Sequence, residues 1–194
     1  ASDCRVLGIK LATCVVLGQN DPAHEDDTES AAALLATLSG PVVELLGGMC
    51  ANKDSAWDKS SPRAERAVLR STAGSCLIKM GKMPHLEKSI KPPTFLAMAR
   101  LVQDEEETVR TTFVRKLAKG TAKEHGKLPF RFAAMLALSA HDPKEAETCK
   151  MYLRHTVHLM RTLQRSKNWI NVIPEHMLPW LVYLLANLPE HLDE

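Results

Sequence analysis

The side chains best placed to do chemistry in this 194-residue chain are basic. Lys150, Arg154, His158, Arg161 and Arg165 follow one another at steps of four, four, three and four, which puts them on one face of an α-helix. Such a ridge could meet phosphates or an acidic peptide. Arg115, Lys119 and Lys123 form a second stripe with the same step. A solvated outer helix face produces the same pattern, so a binding surface and a plain charged face are both open readings. Aromatic residues do not interleave with these cations, which weighs against stacking of single-stranded bases.

Other chemistries lack a constellation. His155 and His158 sit three apart, a spacing metal sites use, yet no Cys pair or His-Glu-x-x-His stands near them to complete a ligand set. Ser71, Ser75 and Ser139 have no Gly-x-Ser-x-Gly frame, and Gly47 and Gly48 are not followed by Lys-Ser/Thr. The acids at 25–27 and 104–107 read as loop and helix-start chemistry. His85, His125 and His141 fall in expected loops. No enzyme, cofactor, metal or small-molecule substrate is therefore expected. Trp57 and Trp169 lie in connecting segments, where they could anchor a partner or pack on the nearest helix. Trp180 reads as core.

Helices must position these residues. A first helix is expected from about Asp3 to Gly18, dense in Val6, Leu7, Ile9, Leu11, Val15, Val16 and Leu17. The polar segment 19–27 reads as a surface loop, and a second helix should run from Thr28 or Ser30 to about Gly47, with a kink or break at Pro41. After a linker, a helix opens near Ser61-Pro62. Its apolar stripe is Leu69, Ala73, Cys76, Leu77 and Met80, with Arg63, Arg66 and Arg70 on another side. Residues 81–93 read as a loop, and Thr94–Val102 as a helix apolar almost all round. Asp104 and three glutamates suit the start of the next helix, which buries Val109, Phe113 and Leu117 and ends at Gly120. Leu128-Pro129 opens another apolar helix. Asp142-Pro143 opens a long one with Cys149, Leu153, Val157, Met160 and Leu163 inward. Pro174 begins the last, with a bend or late start at Pro179.

Polar breaks of one kind close the apolar helices: Leu101–Asp104, Leu138–Asp142 and Leu184–Pro189. Self-similarity at a spacing of about 40 residues is the mark of an α-solenoid of stacked helix pairs. The expected fold is all-α, a single array over 1–194 of about four HEAT-type antiparallel pairs at 3–48, 61–103, 104–142 and 143–190. One pair alone buries too little apolar surface to offset its chain entropy, so stacking must do it.

Composition agrees. The chain is 45% hydrophobic and 25% charged, as soluble globular proteins are. Aromatics make up only 5%, leaving close helix packing to small and aliphatic side chains. No apolar run reaches the ~18 residues a membrane span needs. Cys4, Cys14, Cys50, Cys76 and Cys149 are scattered and odd in number. Four of them fall in or beside expected helices at core-facing positions, so reduced buried thiols of an intracellular protein are expected. The start, Ala1-Ser2-Asp3-Cys4, carries no signal-peptide pattern, and the chain reads as a fragment of a longer array. A net charge of +2 hides an uneven layout. Residues 1–60 hold 4 basic and 9 acidic side chains, and residues 61–103 hold 8 and 2. A basic middle beside an acidic start could steer an acidic partner or nucleic acid to one part of the array.

Four ordered pieces resemble the later repeats of a known family. They are Leu69–Ser75 (LRSTAGS), Val109–Gly120 (VRTTFVRKLAKG), Leu128–Phe132 with Ala137–Pro143 (LPFRF and ALSAHDP), and Pro174–Trp180 with Tyr183–Ala186 (PEHMLPW and YLLA). In order and spacing they are similar to the cohesin-associated HEAT-repeat regulators, the "precocious dissociation of sisters" proteins. Val6–Leu11 with Leu17-Gly18 looks like the helix before them. The resemblance is strongest over 62–191 and extends to 4–18. It implies a nuclear, chromatin-associated, non-catalytic scaffold. Its implied partners are the cohesin core through the kleisin subunit, the release factor and cohesion-maintenance factors, with DNA contact secondary and no membrane role. The alternatives are a generic HEAT-repeat interaction scaffold and a nucleic-acid-binding solenoid using the basic ridges. The resemblance brings no contact residue with it.

Overall fold

The computed structural model describes residues 2–18, 28–51, 61–122, 128–141, 143–167 and 174–188. Their regular structure is helical, with no strand among the described residues. The α-helices are α1 (Ser2–Gly18), α2 (Thr28–Cys50), α3 (Arg63–Met80), α4 (Pro84–Glu87), α5 (Pro92–Arg100), α6 (Glu107–Thr121), α7 (Pro143–Lys167) and α8 (Leu178–Asn187). Three stretches wind as 3₁₀ helix: Leu101–Gln103, Phe130–His141 and Pro174–Met177. None of the described helices is long and apolar enough to cross a membrane. The chain divides into two compact units, 1–98 and 99–194.

In the first unit α1, α2 and α3 pack on one another. Ile9, Val16, Val43, Leu46, Leu69, Ala73, Leu77 and Met80 are buried there. Arg5 ties α1 to the start of α3. Its Nη1 donates to Ser61 Oγ at 2.7 Å and to Glu65 Oε1 at 3.2 Å. The expected break at Pro41 does not occur, and α2 runs through it to Cys50. Packing against α3 holds that helix together across a ring that removes one backbone donor. The expected loop 81–93 contains the short helix α4, which plants Leu86 in the core. Of the three arginines expected to project from α3, Arg63 is exposed but Arg70 is buried.

Three of the seven apolar residues that crowd α1 are exposed. Leu7, Leu11 and Val15 repeat every fourth residue and are 63%, 66% and 47% exposed. Only Ile9 and Val16 of this helix's aliphatics are fully buried. Cys4 and Cys14 lie on its exposed side too, so the buried thiols are Cys50, Cys76 and Cys149, and all five cysteines are free. A nearly continuous apolar sequence does not say which third of it meets a neighbour.

In the second unit the 3₁₀ helix Phe130–His141 is central. It packs against α6, α7 and α8. Neighbours on several sides bury Phe132, Ala133, Ala134, Met135, Leu136, Leu138 and Ser139. Its tighter winding begins at once, where Phe132 N–H donates three residues back to Pro129 O at 3.1 Å. The break at Asp104 has a local cause. Asp104 Oδ1 accepts from Glu106 N–H at 2.9 Å, and Arg110 Nη1 donates to Asp104 O at 2.7 Å. These bonds hold the chain in a turn before α6 begins. At the far end Pro174–Met177 forms one 3₁₀ turn and α8 starts late, with Pro179 in its first turn, where its missing N–H costs nothing.

Candidate functional site

α7 is amphipathic because three kinds of residue divide its circumference. Taking 100° per residue from Lys150, the basic residues Lys150, Arg154, His158, Arg161 and Arg165 fall within an arc of about 80°. All five are exposed. Cys149, Thr156, Met160 and Leu163 cluster on the far side of the wheel and are buried. Leu153 and Val157 lie on the boundary and are half-buried.

That boundary is the wall of a trough. Leu136, Ala137 and Ala140 of the 3₁₀ helix face Ala146, Cys149, Leu153 and Val157 of α7 across it. Glu147, Lys150, Arg154, His158 and Arg161 complete its lining. Its volume is about 690 Å³. Three alanines in the lining leave the space that larger side chains would fill. The lining therefore has an apolar floor and a rim of three cations, one histidine and one acid. Glu147 Oε1 accepts from Lys150 Nζ at 3.0 Å. That hydrogen bond and the Lys150 charge hold the Glu147 carboxyl below its usual value, with a smaller pull from Arg154.

The remaining residues singled out above do not join this trough. Arg165 continues the ridge beyond it. Arg115 and Lys119 are exposed on α6 and line a different surface, and Lys123 lies outside the described residues. His155 points to another task, for its Nε2–H donates to the Ala122 carbonyl at 3.0 Å. Among the described residues no three His, Cys, Asp or Glu gather as a metal site would require. Trp180 is half-buried rather than core. The Arg131 guanidinium stands 4.7 Å from the centre of its ring and 5.1 Å from that of Phe132, in cation–π range. Trp57 and Trp169 lie outside the described residues. In the first unit a second hollow of about 570 Å³ is lined by α2 from Gly40 to Gly48, by Ala51 beyond it and by residues between Lys88 and Ala97, with Glu44, Lys88 and Lys91 among its polar groups.

A family model described as sister chromatid cohesion protein PDS5 matches residues 1–194. The chain belongs to the PDS5 family. Curated relatives agree. It is 26% identical over 193 residues to sister chromatid cohesion protein PDS5 homolog A of Gallus gallus and of Homo sapiens. It is 30% identical over 136 residues to PDS5 homolog B of Mus musculus. The homolog A alignments cover 96% of this chain and 14% of the relative, and the homolog B alignment covers 66% and 9%. The chain thus spans about a seventh of the length of the PDS5 homologs A it matches. The PDS5 match takes in 19–61 as well, wider than the pieces that carry the resemblance in sequence. The all-α, helical-repeat class expected from those pieces is the class of this PDS5 segment.

Periodicity alone points to the basic rim of the trough and not to its floor. Leu153 and Val157, apolar at helical spacing, read as core. The signal that separates them is angular. They fall between the buried arc and the cationic arc, opposite a helix that presents Ala137 and Ala140 where a wider side chain would close the gap.

Proposed function

We propose that this PDS5 segment is a non-catalytic helical scaffold in sister-chromatid cohesion, working in the nucleus on chromatin. In this reading it docks on the cohesin core, through its kleisin subunit among others, and on the release and cohesion-maintenance factors. The observation that carries it is the family match over every residue of the chain. The surface chemistry supports it. Exposed cations border an apolar trough, an arrangement suited to a protein segment, whereas catalysis needs convergent polar groups in a pocket. We also propose that the repeats divide as 3–48, 61–103, 104–142 and 143–190. Pull-down of cohesin core subunits by the chain tests the function. Specific capture of the core, with the kleisin included, is expected, and failure to recover any core subunit rejects it.

A second reading has its own observation. Arg154, Arg161 and Arg165 are exposed on one side of α7, and duplex DNA could contact them through phosphates. It requires an affinity that falls steeply with salt and drops when the three arginines are changed together.

A further inference from the structure

We propose that the trough between α7 and the Phe130–His141 helix receives an acidic amphipathic helix from a protein partner. The inference rests on the scaffold reading and gives it a place and a ligand chemistry. Length comes first. Lining residues run along α7 from Ala146 to Arg161, fifteen steps, or about 22 Å at the α-helical rise. Four turns of a partner helix span that distance.

Next comes the division of labour. Leu153 and Val157 offer half-buried aliphatic surface on the floor, the kind of surface onto which a helix lays apolar anchors at i, i+3 or i+4 and i+7. Ala137 and Ala140 leave room for those anchors. The rim supplies Lys150, Arg154, His158 and Arg161 against Glu147, and Glu147 is already engaged with Lys150. An acidic flank on the incoming helix complements that rim and fixes its orientation. Duplex DNA would satisfy the cations but could not reach the floor, so it uses half of the surface. A peptide uses all of it.

The test is fluorescence anisotropy with the full 194-residue chain at roughly physiological salt, about 0.15 M. The probe is a synthetic helical peptide of about 16 residues with leucines on one face at the anchor spacing and glutamates elsewhere. A peptide of the same composition, scrambled so that the leucines share no face, is the first control, and duplex DNA the second. The ordered peptide should bind at least about tenfold tighter than the scrambled one, because only it can seat its anchors. Arg154→Glu with Arg161→Glu should weaken it about tenfold or more, since like charges then face each other. Both positions are exposed, and circular dichroism checks the fold. Ala140→Leu, which fills the trough and removes no packing, should weaken the ordered peptide and leave DNA binding unchanged.

Equal binding of ordered and scrambled peptides overturns the proposal, as does indifference to Ala140→Leu. Tighter binding of DNA, with the peptide failing to compete, favours the phosphate reading and also overturns it. Cohesin capture distinguishes the two levels. If the wild-type chain captures cohesin but binds the ordered and scrambled peptides equally, the trough proposal falls and the scaffold reading stands. If the wild-type chain captures no cohesin yet discriminates between the peptides, the scaffold reading falls and the trough stands.

Discussion

His155 on α7 reaches back 33 residues to the carbonyl of Ala122 at the end of α6, with 3.0 Å between Nε2 and the oxygen. The last carbonyls of a helix have no partner within it, and this imidazole supplies one. The bond requires the proton on Nε2. It joins α6 to α7 through a side chain. His155→Ala should destabilise the second unit by about 0.5–1 kcal/mol, because the bond is solvent-exposed and worth little net. Urea denaturation measures this. Unchanged stability would mean water replaces the imidazole without cost.

Gly47 and Thr94 show the opposite economy. A Cβ on Gly47 would lie 3.0 Å from both Thr94 Cγ2 and Thr94 Oγ1 and 3.4 Å from its Cβ. Turning the threonine side chain leaves one of its two heavy branches in the way. Gly47→Ala gains about 1 kcal/mol of helix propensity and meets an overpacking penalty of about 1–3 kcal/mol. A net loss of about 1 kcal/mol is expected. Thr94→Ala in the same chain should return most of it, and a double-mutant cycle on thermal unfolding reads the coupling. Additive effects would show that α2 and the start of α5 shift apart freely.

How far the fold is legible in the sequence depends on how many neighbours each helix has. Helices with one apolar stripe, such as α6 and α7, declare their buried face, and Phe113, Leu117, Met160 and Leu163 are buried as their spacing implies. Breaks are legible where side chains cause them, as at Asp104. α1 is not legible, since apolar residues surround it and only neighbours decide that Ile9 is buried while Leu11 is exposed. The winding of Phe130–His141 is also hidden, because nothing in its composition separates 3₁₀ from α geometry. The cations of the candidate site can be read from periodicity alone. The trough cannot, for it depends on two helices coming together at Ala137, Ala140 and Ala146.

Phe132 tests how much the centre of the second unit depends on one side chain. It is fully buried in the helix that α6, α7 and α8 share. Removing its ring in Phe132→Ala should cost about 3–5 kcal/mol, the loss of transfer energy plus that of an unfilled cavity. Phe132→Leu, which keeps most of the volume, should cost well under half of that. Chemical denaturation with a constant slope on denaturant would assign the change to stability alone. A loss below about 1 kcal/mol for Phe132→Ala would mean that α6 and α7 close over the gap.

The rim of the trough carries its own titration. Lys150 holds the Glu147 carboxyl below its ordinary value, by a hydrogen bond first and by charge second, with Arg154 adding a smaller pull. The folded state therefore binds fewer protons than the unfolded one in the acid range. The resulting stability is present above the ordinary carboxylate value and is lost as pH falls through the depressed one. Both side chains are exposed, so solvent screening keeps the stability effect small and the titration itself is the sensitive readout. Lys150→Gln should move the Glu147 midpoint upward, followed by NMR of its side-chain carboxyl carbon, and Arg154→Gln should move it less. A larger shift from Arg154→Gln would reverse the order of causes and place the carboxylate nearer the centre of the trough, where it would oppose an acidic partner.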